Sequence, residues 1–180
     1  MEITSGTSKM LSKEHENILK VVDALETELK QVEDGTINKA FFKEVIDFVK
    51  NYADKFHHAK EEDILFKEFD KCVKEGSVNC NPIRQMIFEH ITGREEIKIM
   101  EVGVRTKNKE DILAGARGYI QLIREHITKE DTVLYPMADE AMSDEVKASM
   151  LEKFKQVNTD KQEDVERFEA FIEEVKKKQK

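Results

Sequence analysis

The sequence is poor in the residues that break helices or cross-link small folds. Its 180 residues include no tryptophan, two prolines, seven glycines and two cysteines. Scarce proline and glycine, combined with abundant glutamate and lysine, favour long helices over a β-sandwich or barrel. A chain of this length predicts a single domain spanning residues 1–180.

Long apolar runs and a basic surface are missing as well. No stretch approaches the roughly 20 apolar residues of a membrane span, and Met1–Ser8 lacks the apolar core of an export signal. The net charge is −8, whereas phosphate contacts need a basic face. We therefore expect a cytoplasmic protein that binds neither nucleic acid nor a membrane. There, Cys72 and Cys80 are more often two free thiols than a closed disulfide loop.

Four stretches show apolar residues at three- and four-residue steps, the period of amphipathic helices. The predicted boundaries are Ser12 (N-cap) to Asp34-Gly35, Asn38 to about Cys72, Asn81-Pro82 to Thr106, and Asn108 to Pro136. The polar run 75–77 predicts a loop, and a proline such as Pro136 ends or bends a helix.

These stripes with short connections predict an all-α fold. The expected architecture is an up-down-up-down four-helix bundle over about residues 11–140. A charged segment that Ser143 caps predicts an additional C-terminal helix or helix pair over about residues 143–177, interrupted near 158–160. It would pack outside the bundle or across one end.

Polar residues interrupt the apolar stripes at six core positions. Each stripe carries one histidine, and two glutamates each follow a histidine by four residues; the six are His15, His57, Glu61, His90, His126 and Glu130. Residues four apart share one helix face. A buried, unpaired carboxylate costs several kcal/mol, and two in one core repel each other. The pattern therefore predicts a metal site, with hydrogen-bonded core histidines and surface HxxxE pairs as the alternative.

A weak internal repeat relates residues 57–66 to residues 126–135, on the second and fourth helices. Within it, His58 is rotated by roughly 100° from His57, which predicts that it leaves the stripe and does not bind metal. Glu62 shares this offset and is expected to support a ligand or lie at the surface. The glutamates that directly precede candidate ligands are expected to be surface charges: Glu14, Glu89 and Glu125.

The ligand types narrow the choice of metal. Imidazole with carboxylate suits iron, manganese or zinc, and the sequence has no thiolate cluster for structural zinc. Six ligands with two bridging carboxylates serve two metals with two histidines each, as in di-metal helix bundles. The coordination positions left open suit small-ligand binding or redox chemistry.

Four segments carry a family resemblance, in family order over roughly residues 10–140. They are Glu14-His15-Glu-Asn-Ile18, Phe56-His57-His-Ala-Lys-Glu61-Glu-Asp-Ile-Leu65-Phe66, Phe88-Glu89-His90-Ile-Thr-Gly93-Arg94 and Glu125-His126-Ile-Thr-Lys-Glu130-Asp131. The chain resembles the hemerythrin-like proteins of the HHE cation-binding domain family. The resemblance implies a non-haem, oxo- or hydroxo-bridged di-iron centre. It places His15 and His57 on one iron and His90 and His126 on the other. Glu61 and Glu130 bridge, with Asp131 as the fallback for Glu130.

The sequence departs from the oxygen-carrying hemerythrins at one position. Those proteins have a further histidine one turn before the third-helix ligand, where this chain has Met86. One iron should then be more open, which disfavours reversible oxygen transport. Tyr119 lies two turns before His126 on the same stripe. We expect it to be a core aromatic residue, a hydrogen-bond donor to a small molecule bound at the centre, or itself a ligand of the iron.

The expected function is a non-haem di-iron protein that binds or reacts with dioxygen, peroxide or nitric oxide. The alternative is an iron- or oxygen-sensing or storage module without turnover. A purely structural bundle is the third hypothesis. Whether the protein is an enzyme stays open, and any turnover would draw electrons from a redox partner protein or a small molecule.

Overall fold

A computed structural model describes residues 3–76 and 80–178, and these form helices, turns and loops without a β-strand. The prediction of an all-helical protein is confirmed. Ser77, part of the predicted loop, lies outside the described residues. No helix in the described part of the chain is long and apolar enough to cross a membrane.

Helix α1, Gly6–Glu33, begins earlier than the sequence suggests. Its N-cap is Ser5, whose hydroxyl accepts the Ser8 backbone N–H at 3.1 Å. The predicted N-cap at Ser12 is wrong, because polar residues before Ser12 form hydrogen bonds with Asp139 and the helix begins among them. The Asp139 carboxylate accepts from the backbone N–H groups of Thr4 at 2.7 Å and Ser5 at 2.8 Å, and from the Ser8 hydroxyl at 2.6 Å.

We call each of the four long continuous helical stretches a rod, and α1 is the first rod. The second rod is a continuous helix whose turns change width along its length. It comprises α2 (Lys39–Phe48), the π-helical segments Val49–His58 and Glu61–Leu65, and α3 (Phe66–Lys74). It begins near Asn38 as predicted, and the Asn38 side chain caps it by accepting from the Phe41 N–H. A π turn closes through i→i+5 hydrogen bonds and holds more residues than an α turn. Beyond the rod, Cys72 and Cys80 are free thiols, as expected.

The third and fourth rods meet at a tight connection. Helix α4, Ile83–Thr106, ends at Lys107 in the left-handed region (φ 61°). Asn108 then caps the fourth rod, which comprises α5 (Lys109–Lys129), the π-helical segment Glu130–Leu134 and α6 (Tyr135–Ala141). Pro136 does not end the rod, because it stands at the start of α6, directly after the π-helical segment, and the helix continues to Ala141. That it bends the helix stays a prediction.

The C-terminal segment is a helix pair, as predicted. Ser143 caps α7 (Asp144–Asp160), and α8 (Gln162–Lys178) follows after a break at Lys161. Each helix covers a different part of the protein: α7 buries Phe154, and α8 packs Phe168 against Phe48 with ring centres 5.6 Å apart.

Two apolar cores form, and the polar stripe positions lie between them. Along α1, Leu11 belongs to one core and Ile18 to the other, with His15 between them. On the fourth rod, Ile123 and Leu134 flank His126 in the same way. The predicted site residues thus form a buried polar layer between the two apolar cores.

Candidate metal centre

The structure brings all six predicted residues into two adjoining groups. In each group the ligand-type atoms lie within 4.8 Å of one another. Cluster A comprises His15, His57, Glu61 and Glu130. Cluster B comprises His58, Glu61, His90 and His126. Glu61 belongs to both clusters. Glu130 also reaches both, with Oε2 3.2 Å from His15 Nε2 and Oε1 3.2 Å from His126 Nε2.

His58 is the residue that the sequence analysis misjudged most clearly. It is buried, and its ring stacks on that of His90 with centroids 3.8 Å apart. Because His57 and His58 lie in a π-helical segment, the angular step between them is smaller than in an α-helix, and both face the interior. The chain therefore has a fifth histidine at the site despite Met86.

Each of the four predicted histidines has a carboxylate on its Nδ1 nitrogen. The pairs are His15–Asp131 at 3.0 Å, His57–Glu14 at 2.9 Å, His90–Glu62 at 2.7 Å and His126–Glu89 at 2.8 Å. An ionised carboxylate only accepts, so Nδ1 carries the hydrogen. In the neutral imidazole Nε2 then keeps its lone pair, which is the arrangement typical of metal-binding histidines.

The carboxylates on Nδ1 correct part of the sequence analysis. Glu14 and Glu89 are buried, so the expectation that they are surface charges is wrong, whereas Glu125 is exposed as expected. Glu14 does point away from His15, but a helix inside a bundle has several neighbours, and its carboxylate reaches the second rod instead. Glu62 is half-buried and accepts from His90, whereas its predicted role in supporting a metal ligand stays a prediction.

A signal for these contacts lies in the sequence. The pair Glu14-His15 on the first rod recurs as Glu89-His90 on the third, alongside the HxxKE repeat of the second and fourth rods. The glutamate of each pair accepts from the histidine of the next rod: Glu14 accepts from His57 on the second rod, and Glu89 accepts from His126 on the fourth. The residue after each HxxKE glutamate accepts from the histidine of the other half. The centre thus contains two copies of one motif, and a carboxylate of each copy accepts a hydrogen bond from a histidine of the other copy.

The repeated lysines neutralise the buried acceptors, but to different degrees. Lys60 is fully buried, donates to Glu14 and to Asn158 Oδ1 at 3.1 Å, and lies 3.6 Å above the centre of the Phe56 ring. Lys129 donates to Glu89 in the same way, but its side chain is 35% exposed.

Tyr135 distinguishes cluster A, and it escaped the sequence analysis. Its hydroxyl lies 2.5 Å from Glu61 Oε1 and 3.2 Å from His15 Nε2, with the two rings stacked at 5.5 Å. The repeat places Phe66 at the matching position of cluster B, stacked on His90 at 5.9 Å but without a hydroxyl.

The buried nitrogen and oxygen atoms of the two clusters are better suited to bind cations than to form hydrogen bonds with each other. Within the described residues, Nε2 of His57, both ring nitrogens of His58, Oε2 of Glu61 and both oxygens of Glu130 are buried without a hydrogen-bond partner. Nε2 of His90 lies 3.0 Å from Nε2 of His126, so two lone pairs face each other unless a proton or a cation intervenes. Convergent, unsatisfied nitrogen and oxygen donors are what a borderline divalent cation requires.

Without a cation, protons neutralise the clusters. Burial and the neighbouring Glu130 raise the pKa of Glu61 well above its usual range. At His15 burial is outweighed by the hydrogen bond to Asp131 and by the neighbouring charges of Glu130 and Glu61, which raise the pKa to about 9. At His126 the charge of Glu130 also outweighs burial and raises the pKa to about 10. Cation binding would therefore release protons.

The fold and the site together define a helical metal-binding domain with buried histidine–glutamate clusters. The family model of the hemerythrin HHE cation-binding domain matches residues 6–138, so the chain belongs to that family, as the resemblance implied. No curated protein and no solved structure matches the chain significantly. That the domain extends over residues 1–180 stays a prediction.

Proposed function

We propose that this chain is a non-haem di-iron protein, with one iron in cluster A and one in cluster B. The four carboxylate-backed histidines carry the proposal, because a purely structural core has no need to orient four Nε2 lone pairs toward the same space. Imidazole and carboxylate donors in this ratio suit iron.

The ligand roles follow from position. His15 and His57 serve cluster A, while His90, His126 and His58 serve cluster B. Glu61 and Glu130 lie between the clusters and bridge the two ions. The arrangement is consistent with four rods in up-down-up-down order, which we propose as the bundle topology.

The proposed reaction partners are dioxygen, peroxide or nitric oxide. Bound iron would supply an open coordination position and the capacity for one-electron redox steps. The protein supplies histidines held in one tautomer, carboxylates that balance the metal charge, and apolar cores on both sides that exclude water.

Metal analysis with Mössbauer spectroscopy of the purified protein tests this proposal. About two iron ions per chain in two environments are expected, because the clusters differ in histidine number. The reduced protein is then exposed in parallel to dioxygen, peroxide and nitric oxide. A colourless protein without iron, purified from iron-replete cells, would overturn the proposal, and a stable reversible dioxygen adduct would favour a carrier.

An iron-sensing function without turnover is a second candidate that one observation favours. Ligand His57 connects through Glu14 and Lys60 to Asn158 on α7. Losing iron would therefore disturb the docking of α7. Hydrogen exchange with and without iron tests this: α7 should lose protection on iron removal under the sensing hypothesis, and unchanged protection contradicts it.

A further inference from the structure

A cavity of about 160 Å³ lies beside cluster B. The rings of His58, His90 and His126 contribute to its wall, and the remaining inner wall is mostly apolar, with Gly93, Ile97, Leu122 and Ile123. No cluster A histidine is among the described residues that line it. A dry cavity of roughly 150 Å³ holds benzene or xenon, so this space exceeds the needs of a diatomic molecule.

Tyr119 places a hydroxyl group beside this mostly apolar part of the wall. The residue is 2% exposed, and its hydroxyl has no hydrogen-bond partner in the described parts of the chain. A buried hydrogen-bonding group without a partner destabilises the fold. The fold therefore keeps a donor that a guest molecule in the cavity could satisfy.

Three of the charged residues that line the cavity are at least partly exposed, namely Lys50, Asp54 and Arg94, whereas Glu89 is buried. The side chains of Lys50 and Arg94 are 42% and 40% exposed. Arg94 is held by Asp54 at 2.6 Å and by Glu62 at 2.8 Å, the latter being the acceptor of His90. Lys50 is paired with Glu101, and Glu89 accepts from Lys129 and His126, so the charges that line the cavity already have partners and the wall favours an uncharged guest.

We propose that this cavity binds a small uncharged molecule with one hydrogen-bond acceptor atom, held against cluster B with the Tyr119 hydroxyl as donor. Access to the centre is then one-sided: the guest approaches through cluster B, and cluster A stays closed behind Tyr135. The role of cluster B as a metal site rests on the proposed function, but the cavity and its donor do not.

Xenon tests the cavity independently of any metal chemistry. The purified protein, with whatever metal it holds, is crystallised under xenon pressure, and one xenon atom is expected in the cavity. Ile97→Phe should abolish this site by filling it. Ile112→Phe is the matched control, because Ile112 is buried in the same core without lining the cavity. If Ile97→Phe fails to fold, Leu122→Phe replaces it. A wild-type cavity without xenon would overturn the proposal.

Nitric oxide, a small uncharged molecule with an acceptor atom, tests the connection to the metal. Stopped-flow absorbance of the ferrous protein should show association slowed at least about tenfold in Ile97→Phe but not in Ile112→Phe. Tyr119→Phe should retain xenon but release nitric oxide about tenfold faster, as expected for one lost hydrogen bond. Tyr52→Phe is its control, because this buried hydroxyl already accepts from Asn17 at 3.0 Å.

The outcomes separate the two proposals. Xenon binding with nitric oxide kinetics that neither Ile97→Phe nor Tyr119→Phe alters would overturn this inference while leaving a di-iron centre intact. A protein that takes up no iron would overturn the proposed function, and the result with xenon would still decide whether the cavity admits a guest.

Discussion

Clusters A and B are built from the same repeated motif but have different surroundings. Cluster A has the Tyr135 hydroxyl between His15 and Glu61, and its support reaches the fully buried Lys60. Cluster B has Phe66 instead of a tyrosine, a half-exposed lysine, an additional histidine and a cavity. A doubled motif thus supplies the candidate ligands twice, while the residues around it place a tyrosine hydroxyl in one cluster and a cavity beside the other.

Removing one histidine from each half gives the largest effect and tests whether the halves hold separate ions. His15→Ala should empty cluster A, and His90→Ala should empty cluster B, each lowering the iron content from about two ions to about one per chain. Inductively coupled plasma mass spectrometry measures this. If either variant loses all iron, the two clusters bind iron only together, and the prediction that each holds its own ion is wrong.

The lysines should differ strongly in their contribution to stability. Lys60→Met leaves the Glu14 carboxylate buried without its cation, which should lower the free energy of unfolding by about 3–5 kcal/mol. Lys129→Met affects a partly exposed pair and should cost at most about 1 kcal/mol. Urea denaturation of both variants measures the difference, and equal losses would show that the two supports are equivalent.

Beyond the repeat, the same sequence offset relates Asp139, which anchors the start of α1, to Asp70, which is partly exposed and lies near Asn81. Burial opposes ionisation of Asp139, but hydrogen bonds from Ser5 and Ser8 outweigh it and lower its pKa. The stabilisation is therefore present above the unfolded-state pKa and is lost as the pH falls through the folded-state value. Asp139→Asn should cost about 2 kcal/mol at pH 7.

The pH series of the two aspartate variants provides the control. The difference between Asp139→Asn and the wild type should shrink as the pH is lowered below the usual aspartate range, since the wild-type carboxylate is then protonated too. Asp70→Asn should change little at any pH. A pH-independent loss in Asp139→Asn would mean that packing, not charge, anchors the start of α1.

The smallest expected effect concerns the hydroxyl that closes cluster A. Tyr135→Phe makes this position resemble Phe66 and removes a hydrogen bond to Glu61, so it should lower stability by about 1–2 kcal/mol. Thermal unfolding of the iron-loaded protein measures the cost. In the nitric oxide experiment, an association rate that rises in this variant would show that cluster A is closed only by the hydroxyl.

The sequence predicted the helical fold and the six ligand candidates because both depend on periodicity along single helices. Buried acids such as Glu61 stand out within a stripe whatever the neighbouring helix presents. The apolar pattern of a single helix does not show which residues of another helix it contacts. The roles of Glu14 and Tyr135 therefore cannot be predicted from that pattern and are seen only in the packed structure.

Two errors have local causes. His58 was placed off the stripe by assuming an α-helical step, whereas the backbone there forms π turns. The start of α1 was placed at Ser12 because the polar residues before it resemble a solvated end, although Asp139, distant in sequence, buries them.

The π-helical segments have a further consequence for how this protein can change. Val49–His58 holds two consecutive histidines inward because its turns are wider than α turns, so deleting one residue before them would let the segment adopt α turns. Such a deletion would turn one imidazole outward and reset the number of nitrogen donors without any substitution. In this fold, then, insertions and deletions within a wide turn are a direct route to a new coordination number.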